Sequence, residues 1–320
     1  MINYLRLIRY KNLFIIALTQ YTVRYCMLKP YFRYFTDTEL QLNNFNFFLL
    51  VLSTMMIAAA GYIINDYFDI KADWINRPDK IILGRHIKRS RAIFLHFVLN
   101  AAAFIIAVYL SILAGNLKLI LIYVIAIILL WWYSTTLKKT FLIGNIIISL
   151  HAAFVPLLVW FFEISTMKEN NYNITIFNFS DLKKGLFAVA FFAFFINLIR
   201  EIIKDIEDIK GDRKIGCKTI PIKLGIKNTE IIILVFSCIV FLLIVLTQKN
   251  IYDEGLFVLF WYLMIFVQIP LILMFYIVPK ANKRKDYSNA SNLVKLIMFT
   301  GIFAIVVFHF TLFHIWPFNN

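Results

Sequence analysis

The sequence has little charge for its length. Only 16% of its 320 residues are charged and 61% are hydrophobic, whereas a soluble domain has about 25% charged and 45–50% apolar residues. The mean hydropathy is +0.77. This composition excludes an ordinary soluble globular domain and indicates an integral membrane protein.

Cysteine is also scarce, and histidine shows no metal-binding spacing. The three cysteines, Cys26, Cys217 and Cys238, form no C-x-x-C pair, so neither a disulfide framework nor a zinc site is expected. The N-terminal basic stretch and the apolar run after it could be a signal peptide. Because no small-residue cleavage site follows, we interpret this run as a first membrane helix.

What the sequence has instead is a series of apolar runs, about nine in number, separated by short polar segments. They cover residues 13–23, 45–64, 92–113, 119–132, 141–162, 186–199, 231–246, 256–278 and 293–313. No soluble domain or low-complexity linker interrupts them. The sequence therefore predicts an all-α, polytopic membrane protein, with about nine transmembrane helices in one bundle that forms a single domain over residues 1–320.

The distribution of positive charge predicts the orientation. Most of the 33 lysines and arginines lie in the N-terminal segment and in alternate loops on its side of the membrane, which places the N-terminus inside and the C-terminus outside. The net charge of +15 then follows from topology and attraction to anionic lipid. We therefore expect a lipid bilayer as partner, with no nucleic acid and no protein partner.

Two acidic triplets, each at the inner end of an apolar run, share the spacing D-x-x-D-x-x-x-D. They are Asp66, Asp69, Asp73 and Asp205, Asp208, Asp212. Positions i, i+3 and i+7 lie on one side of a helix, and carboxylates so close repel each other unless a cation lies between them. Mg²⁺ prefers carboxylates combined with substrate phosphates, so the pair of triplets predicts a diphosphate site. The alternative is a pair of solvated loops, which the repeated spacing disfavours.

Several residues near the triplets could supply positive charge or hydrogen bonds to a diphosphate. Tyr133 and Lys138 follow the fourth apolar run, Arg77 and Lys80 follow the first triplet, and Arg9 precedes the first run. Interfacial Tyr and Lys residues are also common membrane anchors, so an anchoring role stays open for them.

The two motifs resemble those of the UbiA superfamily of intramembrane prenyltransferases. Residues 65–73, beginning with Asn65, fit the pattern N-D-x-x-D-x-x-x-D at every fixed position, and residues 205–212 fit the second pattern. The superfamily also has a Tyr-x-x-x-Lys element, and here the spacing from Tyr133 to Lys138 is one residue longer. The amino-acid sequences of residues 76–80 and 200–212 are most similar to those of the digeranylgeranylglyceryl phosphate synthase branch.

The resemblance implies a Mg²⁺-dependent prenyltransferase. The donor would be a polyprenyl diphosphate, with geranylgeranyl as the expected group, and the lipophilic acceptor would be geranylgeranylglyceryl phosphate in ether-lipid synthesis. An aromatic acceptor in quinone synthesis is the alternative. Asp66, Asp69, Asp205 and Asp208 are the expected catalytic residues, and all six aspartates are expected metal ligands. The expected substrate-binding residues are Asn65, Arg77, Lys80, Tyr133, Lys138 and Arg9.

A transporter with carboxylate ion sites is the main alternative from another class. Transporter sites lie near the bilayer midplane on broken helices, whereas these aspartates lie at the ends of apolar runs.

Overall fold

The computed structural model describes residues 2–170, 172 and 178–315. For Lys80 and residues 313–315 only the backbone is described. The helices in chain order are α1 (Ile2–Leu7), α2 (Tyr10–Thr22), α3 (Lys29–Phe35), α4 (Asn44–Asn76), α5 (Arg89–Leu113), α6 (Leu119–Thr135), α7 (Ile143–Glu169), α8 (Ser180–Lys214), α9 (Ile220–Leu224), α10 (Ile226–Asp253), α11 (Phe257–Leu263), α12 (Ile269–Lys280) and α13 (Arg284–Ile315). Within these ranges there is no β-strand, so the predicted all-α class is confirmed.

Seven helical stretches of the described chain are long and apolar enough to cross a membrane. They are α4, α5, α7, α8, α10, α13 and the stretch Phe257–Lys280, in which a π-helical segment joins α11 to α12. Helix α6 is apolar but shorter. A second π-helical segment, Val23–Leu28, joins α2 to α3. The expected number of nine membrane helices stays a prediction.

Helices α4 and α8 are the longest, with 33 and 35 residues. At 1.5 Å per residue each is about 50 Å long, so each extends beyond the roughly 30 Å hydrocarbon layer of a bilayer. The two acidic triplets lie in the last turns of these helices. Because the helix dipole makes a C-terminus negative, cations are favoured at both positions.

The hydrophobic core forms two large clusters. The first cluster is built mainly from α2 to α7, with Phe47 and Phe162 among its fully buried side chains. The second is built from α8, α10, α12 and α13 around Ile203 and Met274. Helix α4 also packs against α8, and this contact brings together the parts of the chain that carry the two triplets.

A buried ion pair lies at the end of the bundle away from the triplets. The Arg24 guanidinium, in the first π-helical segment, donates to the Glu163 carboxylate on α7 at 3.2 Å, and their side chains are 2% and 0% exposed. Glu163 also accepts the backbone N–H groups of Gln41 and Leu42. The pair therefore ties the loop before α4 to α7.

Candidate functional site

The ends of α4 and α8 are joined by Asn76, the last residue of α4. Its side-chain nitrogen donates to the Asp208 carbonyl at 2.9 Å, and its side-chain oxygen accepts the Gly211 N–H at 2.8 Å. A Cβ atom at Gly211 would lie 2.4 Å from the Asn76 nitrogen and 2.7 Å from the Ala72 carbonyl oxygen. The close approach of the two motif segments therefore requires glycine at position 211.

Three of the predicted cations contact three of the predicted carboxylates. Arg9 binds Asp66 at 2.7 Å, and Lys138 forms an ion pair with Asp69. Arg77 binds Asp208 through both its carboxylate oxygens, the shorter contact being 2.7 Å. The Arg77 contact joins the end of the first motif directly to the second. These cations offset the repulsion within each triplet.

The remaining aspartates have different surroundings. Asp205 accepts a hydrogen bond from the Asn145 side chain on α7 at 2.8 Å. Asp212 lies within electrostatic range of Asp208, Asp69 and Asp73, and therefore faces both triplets. Within the described ranges, the Asp73 and Asp212 carboxylates make no ion pair or hydrogen bond. They are the carboxylates most available to a further cation.

The donor atoms of the site suit a hard divalent cation. The side-chain oxygen of Asn65 is buried and has no hydrogen-bond partner in the described part of the chain. The six carboxylates of the triplets are also oxygen ligands, the type that Mg²⁺ prefers. As they stand, no three acidic, His or Cys side chains of the described residues converge closely enough to hold a metal ion. Arg9 and Lys138 instead form ion pairs with Asp66 and Asp69, two of the three carboxylates of the first triplet.

Tyr133 lies among the same charged groups. It is half-buried near the C-terminal end of α6, within electrostatic range of Glu201, Asp205 and Asp69. The extra residue between Tyr133 and Lys138 therefore does not remove either from the site. The Lys80 side chain lies outside the described residues.

A cavity of about 120 Å³ opens beside the first triplet. Its polar wall consists of Arg9, Asp66, Asp73 and Arg77, and its apolar wall of Ile70, Ile81, Ile82 and Leu83. Charged and apolar side chains around one small cavity suit the head of an amphipathic ligand.

Two groups near the site and outside the membrane-spanning helices have shifted pKa values. Burial, reinforced by the nearby Asp212 carboxylate, raises the pKa of the Cys217 thiol to about 12. Burial lowers the pKa of Arg77, but the carboxylates of Asp208, Glu207 and Asp73 together more than offset this and hold that pKa above its ordinary value. At neutral pH Cys217 is therefore a neutral thiol and Arg77 a fixed cation.

Sequence reasoning missed several contacts. Arg284, the first residue of α13, donates to Asp208 at 3.2 Å and to the Asn76 carbonyl. Asn145 on α7 was not singled out either. Neither residue belongs to a recognisable motif, and both reach the site from helices far away in sequence. Asn76 lies in the run after the first triplet, but its bridging role has no signal in the sequence.

Comparison with known proteins identifies the family. The model of the UbiA prenyltransferase family matches residues 34–303. The chain belongs to the UbiA prenyltransferase family. It is therefore a prenyltransferase enzyme and an integral, multi-pass membrane protein, as predicted, and the transporter alternative is not supported.

Relatives and solved structures agree with this family assignment. Digeranylgeranylglyceryl phosphate synthase of Sulfurisphaera tokodaii is 31% identical over 83% of this chain and 88% of its own. One solved structure is described as giving structural and mechanistic insights into the biosynthesis of digeranylgeranylglyceryl phosphate synthase in membranes. Its TM-score is 0.60, with 24% identity over 96% of this chain and 97% of its own. A UbiA homologue from Archaeoglobus fulgidus bound to DMAPP and Mg²⁺ has a TM-score of 0.55, with 16% identity over 95% of this chain and 99% of its own. Both likenesses confirm the UbiA fold.

Proposed function

We propose that this UbiA-family enzyme transfers a geranylgeranyl group from its diphosphate to geranylgeranylglyceryl phosphate, and so makes an ether lipid. One observation carries the proposal. The two acidic triplets are joined end to end by Asn76 and Arg77, with cations on their carboxylates. The digeranylgeranylglyceryl phosphate synthases among the relatives support the choice of substrates.

The six aspartates and Asn65 would hold Mg²⁺ together with the donor diphosphate. Bound there, Mg²⁺ supplies Lewis-acid stabilisation of the leaving diphosphate and fixes its orientation. The unpartnered Asn65 oxygen and the unpaired Asp73 and Asp212 carboxylates support this assignment. Asp66, Asp69, Asp205 and Asp208 would be the catalytic carboxylates.

The cations of the site would move from carboxylate to phosphate when the donor binds. Arg9, Arg77 and Lys138 each contact one of the proposed metal ligands. Once a divalent cation neutralises those carboxylates, these side chains and Lys80 become available to the diphosphate oxygens, where they would stabilise the charge that develops on departure. Tyr133 would face the reacting carbon from α6.

The reaction forms one bond and breaks another. The bond between C1 of the geranylgeranyl group and the diphosphate oxygen breaks, and the hydroxyl oxygen of the acceptor forms the new ether bond to C1. The hydroxyl proton leaves with the diphosphate. The apolar helices around the site would exclude water, which otherwise captures the allylic cation.

The membrane arrangement is part of the proposal. We place the N-terminus and both triplets at the inner membrane face and the C-terminus outside, with residues 1–320 acting as one prenyltransferase domain. The excess of Lys and Arg in the N-terminal segment and alternate loops supports this orientation.

Product analysis tests the choice of acceptor. Membranes containing the protein receive geranylgeranyl diphosphate and Mg²⁺ with either geranylgeranylglyceryl phosphate or an aromatic acid, and products are identified by mass spectrometry. We expect the diether phosphate and diphosphate release only with the glycerophosphate acceptor, and chelation of Mg²⁺ should stop both. Prenylation of the aromatic acid alone would contradict the proposal and favour quinone synthesis.

A further inference from the structure

A second group of charges lies on α8 in the turn before the second acidic triplet. The Glu201 carboxylate accepts from the Arg200 guanidinium at 3.1 Å and from the Lys204 ammonium at 2.5 Å. The three side chains are 10%, 14% and 22% exposed in chain order. One carboxylate therefore faces two cations, of which Arg200 is buried and Lys204 half-buried, and this leaves positive charge in excess within the group.

Further cations increase this excess. Lys295 on α13 lies within electrostatic range of Arg200 and Arg9. The acid within range of Lys295 is Glu207, and Glu207 is already 3.6 Å from Arg77. Like charges within electrostatic range of one another repel unless an anion lies among them.

Arg200 also has unused hydrogen-bonding capacity. Its residue is 8% exposed, and its Nε–H is buried without a hydrogen-bond partner among the described residues. Buried guanidinium groups normally use their donors, and planar Arg is well suited to bind phosphate oxygens. The unpartnered donor points to an anionic ligand.

Arg200 and Lys204 lie in α8 and Lys295 lies in α13, two helices that are long and apolar enough to cross a membrane. Lys295 is eleven residues after Arg284, the first residue of α13, which is about 16 Å along the helix. Ionisable side chains within membrane-spanning helices are costly and usually mark a ligand or a pathway.

We propose that Arg200, Lys204 and Lys295 bind the phosphate monoester of the acceptor lipid, beside the donor diphosphate site. The inference rests on the proposed function, which requires a second lipid with a phosphate head. Glu201 lies between the proposed acceptor-phosphate site and the donor site. It contacts Arg200 and Lys204, and it lies within electrostatic range of Tyr133 and Arg9. An acceptor phosphate held there would bring its glycerol hydroxyl toward the donor.

Steady-state kinetics with two acceptors test the assignment. The full-length protein in neutral phosphatidylcholine vesicles receives geranylgeranyl diphosphate with either geranylgeranylglyceryl phosphate or the dephosphorylated alcohol. Loss of one charge-assisted contact to phosphate corresponds to roughly a tenfold change in affinity. We expect Lys295→Gln and Arg200→Gln each to raise the KM for the phosphorylated acceptor about tenfold. The KM for the alcohol and for the donor should stay within about twofold.

Lys285→Gln on the same helix is the matched control, since Lys285 is exposed near the start of α13 and its loss changes the net charge equally. Lys295 is exposed in the fold, so its variant should fold even where Arg200→Gln does not.

Inorganic phosphate added to the assay distinguishes a general anion site from a lipid site. We expect millimolar phosphate to leave the KM for the phosphorylated acceptor unchanged, and competition at that concentration would overturn the assignment to a lipid headgroup.

An unchanged KM for the phosphorylated acceptor in both variants would overturn the inference while the proposed function stands. So would a rise in the donor KM instead, since the residues would then belong to the diphosphate site. Absence of diphosphate release from the wild-type protein with every acceptor would overturn the proposed function itself, and the inference with it.

Discussion

At the residue scale, the site is a set of carboxylates whose partners come from other parts of the chain. Arg9 precedes α2, Lys138 follows α6, Asn145 begins α7 and Arg284 begins α13, yet each contacts an aspartate of α4 or α8. Each partner lowers the repulsion of the triplets in the unliganded protein. The same contacts also hold the carboxylates ready for a divalent cation.

Gly211 is the residue whose replacement tests the approach of the two motifs. Gly211→Ala places a methyl group against the Asn76 side chain and the Ala72 backbone carbonyl, and overpacking of this kind costs about 1–3 kcal/mol. We expect a lower melting temperature in detergent and a loss of prenyl transfer larger than the loss of folded protein. Gly185→Ala on the same helix is the control, because its new methyl group meets only the flexible end of Met27, at 3.2 Å. Full activity of Gly211→Ala would show that the close contact is not needed.

The sequence allowed prediction of the acidic site, but not of its hydrogen-bond network. The spacing of Asp66, Asp69 and Asp73 indicates a shared helix face because helical periodicity is local. The contacts of Arg284 and Asn145 depend on how distant helices pack, and no local pattern carries that information. For the same reason Arg77, predicted to bind diphosphate, is found on Asp208.

At the scale of secondary-structure elements, two features position the site: the length of α4 and α8, and a buried ion pair at the start of α4. Helices α4 and α8 continue past their apolar runs and carry the triplets in these polar extensions. At the other end, the Arg24–Glu163 pair fixes the entry to α4 by binding the loop before it. The apolar runs predicted the helices well, and the spacing of the aspartates predicted that both triplets are helical. The contacts between the ends of α4 and α8 were not predicted, because the packing of distant helices decides them.

The buried ion pair gives a stability prediction for the element it anchors. Glu163→Gln leaves the Arg24 charge buried without its counter-ion, and breaking a buried pair costs about 3–5 kcal/mol. We expect a clear fall in melting temperature, with turnover per folded molecule near that of the wild type, because the pair lies away from the triplets. Lys184→Ala is the control, since the Lys184–Asp181 pair is exposed and such pairs contribute about 0–1 kcal/mol. Equal melting temperatures for both variants would show that the pair does not anchor the loop.

At the scale of the whole molecule, the acidic site lies between the C-terminal ends of α4 and α8. A small hydrophobic cluster that includes Ile63 and Ile70 of α4 packs beside the first triplet, and the second large cluster, with Ile203 of α8, packs beside the second. The triplet that occurs twice in the sequence occurs twice in one site, because each half of the chain contributes one triplet to it. Composition was enough to predict the membrane class. The number of crossings was less predictable, because α6 and the first helix are short or interrupted.

The activity of two single variants tests the central claim most directly. Asp69→Asn removes one carboxylate from the first triplet and Asp208→Asn one from the second, and in both the side chain keeps nearly the same size and shape. We measure geranylgeranyl transfer by the purified proteins, with Asp181→Asn at an exposed position of α8 as control. The account predicts that each triplet variant folds, inserts and loses transfer by at least about a hundredfold, which corresponds to roughly 2.7 kcal/mol of transition-state stabilisation, while the control stays active. Turnover like that of the wild type in both triplet variants would contradict it.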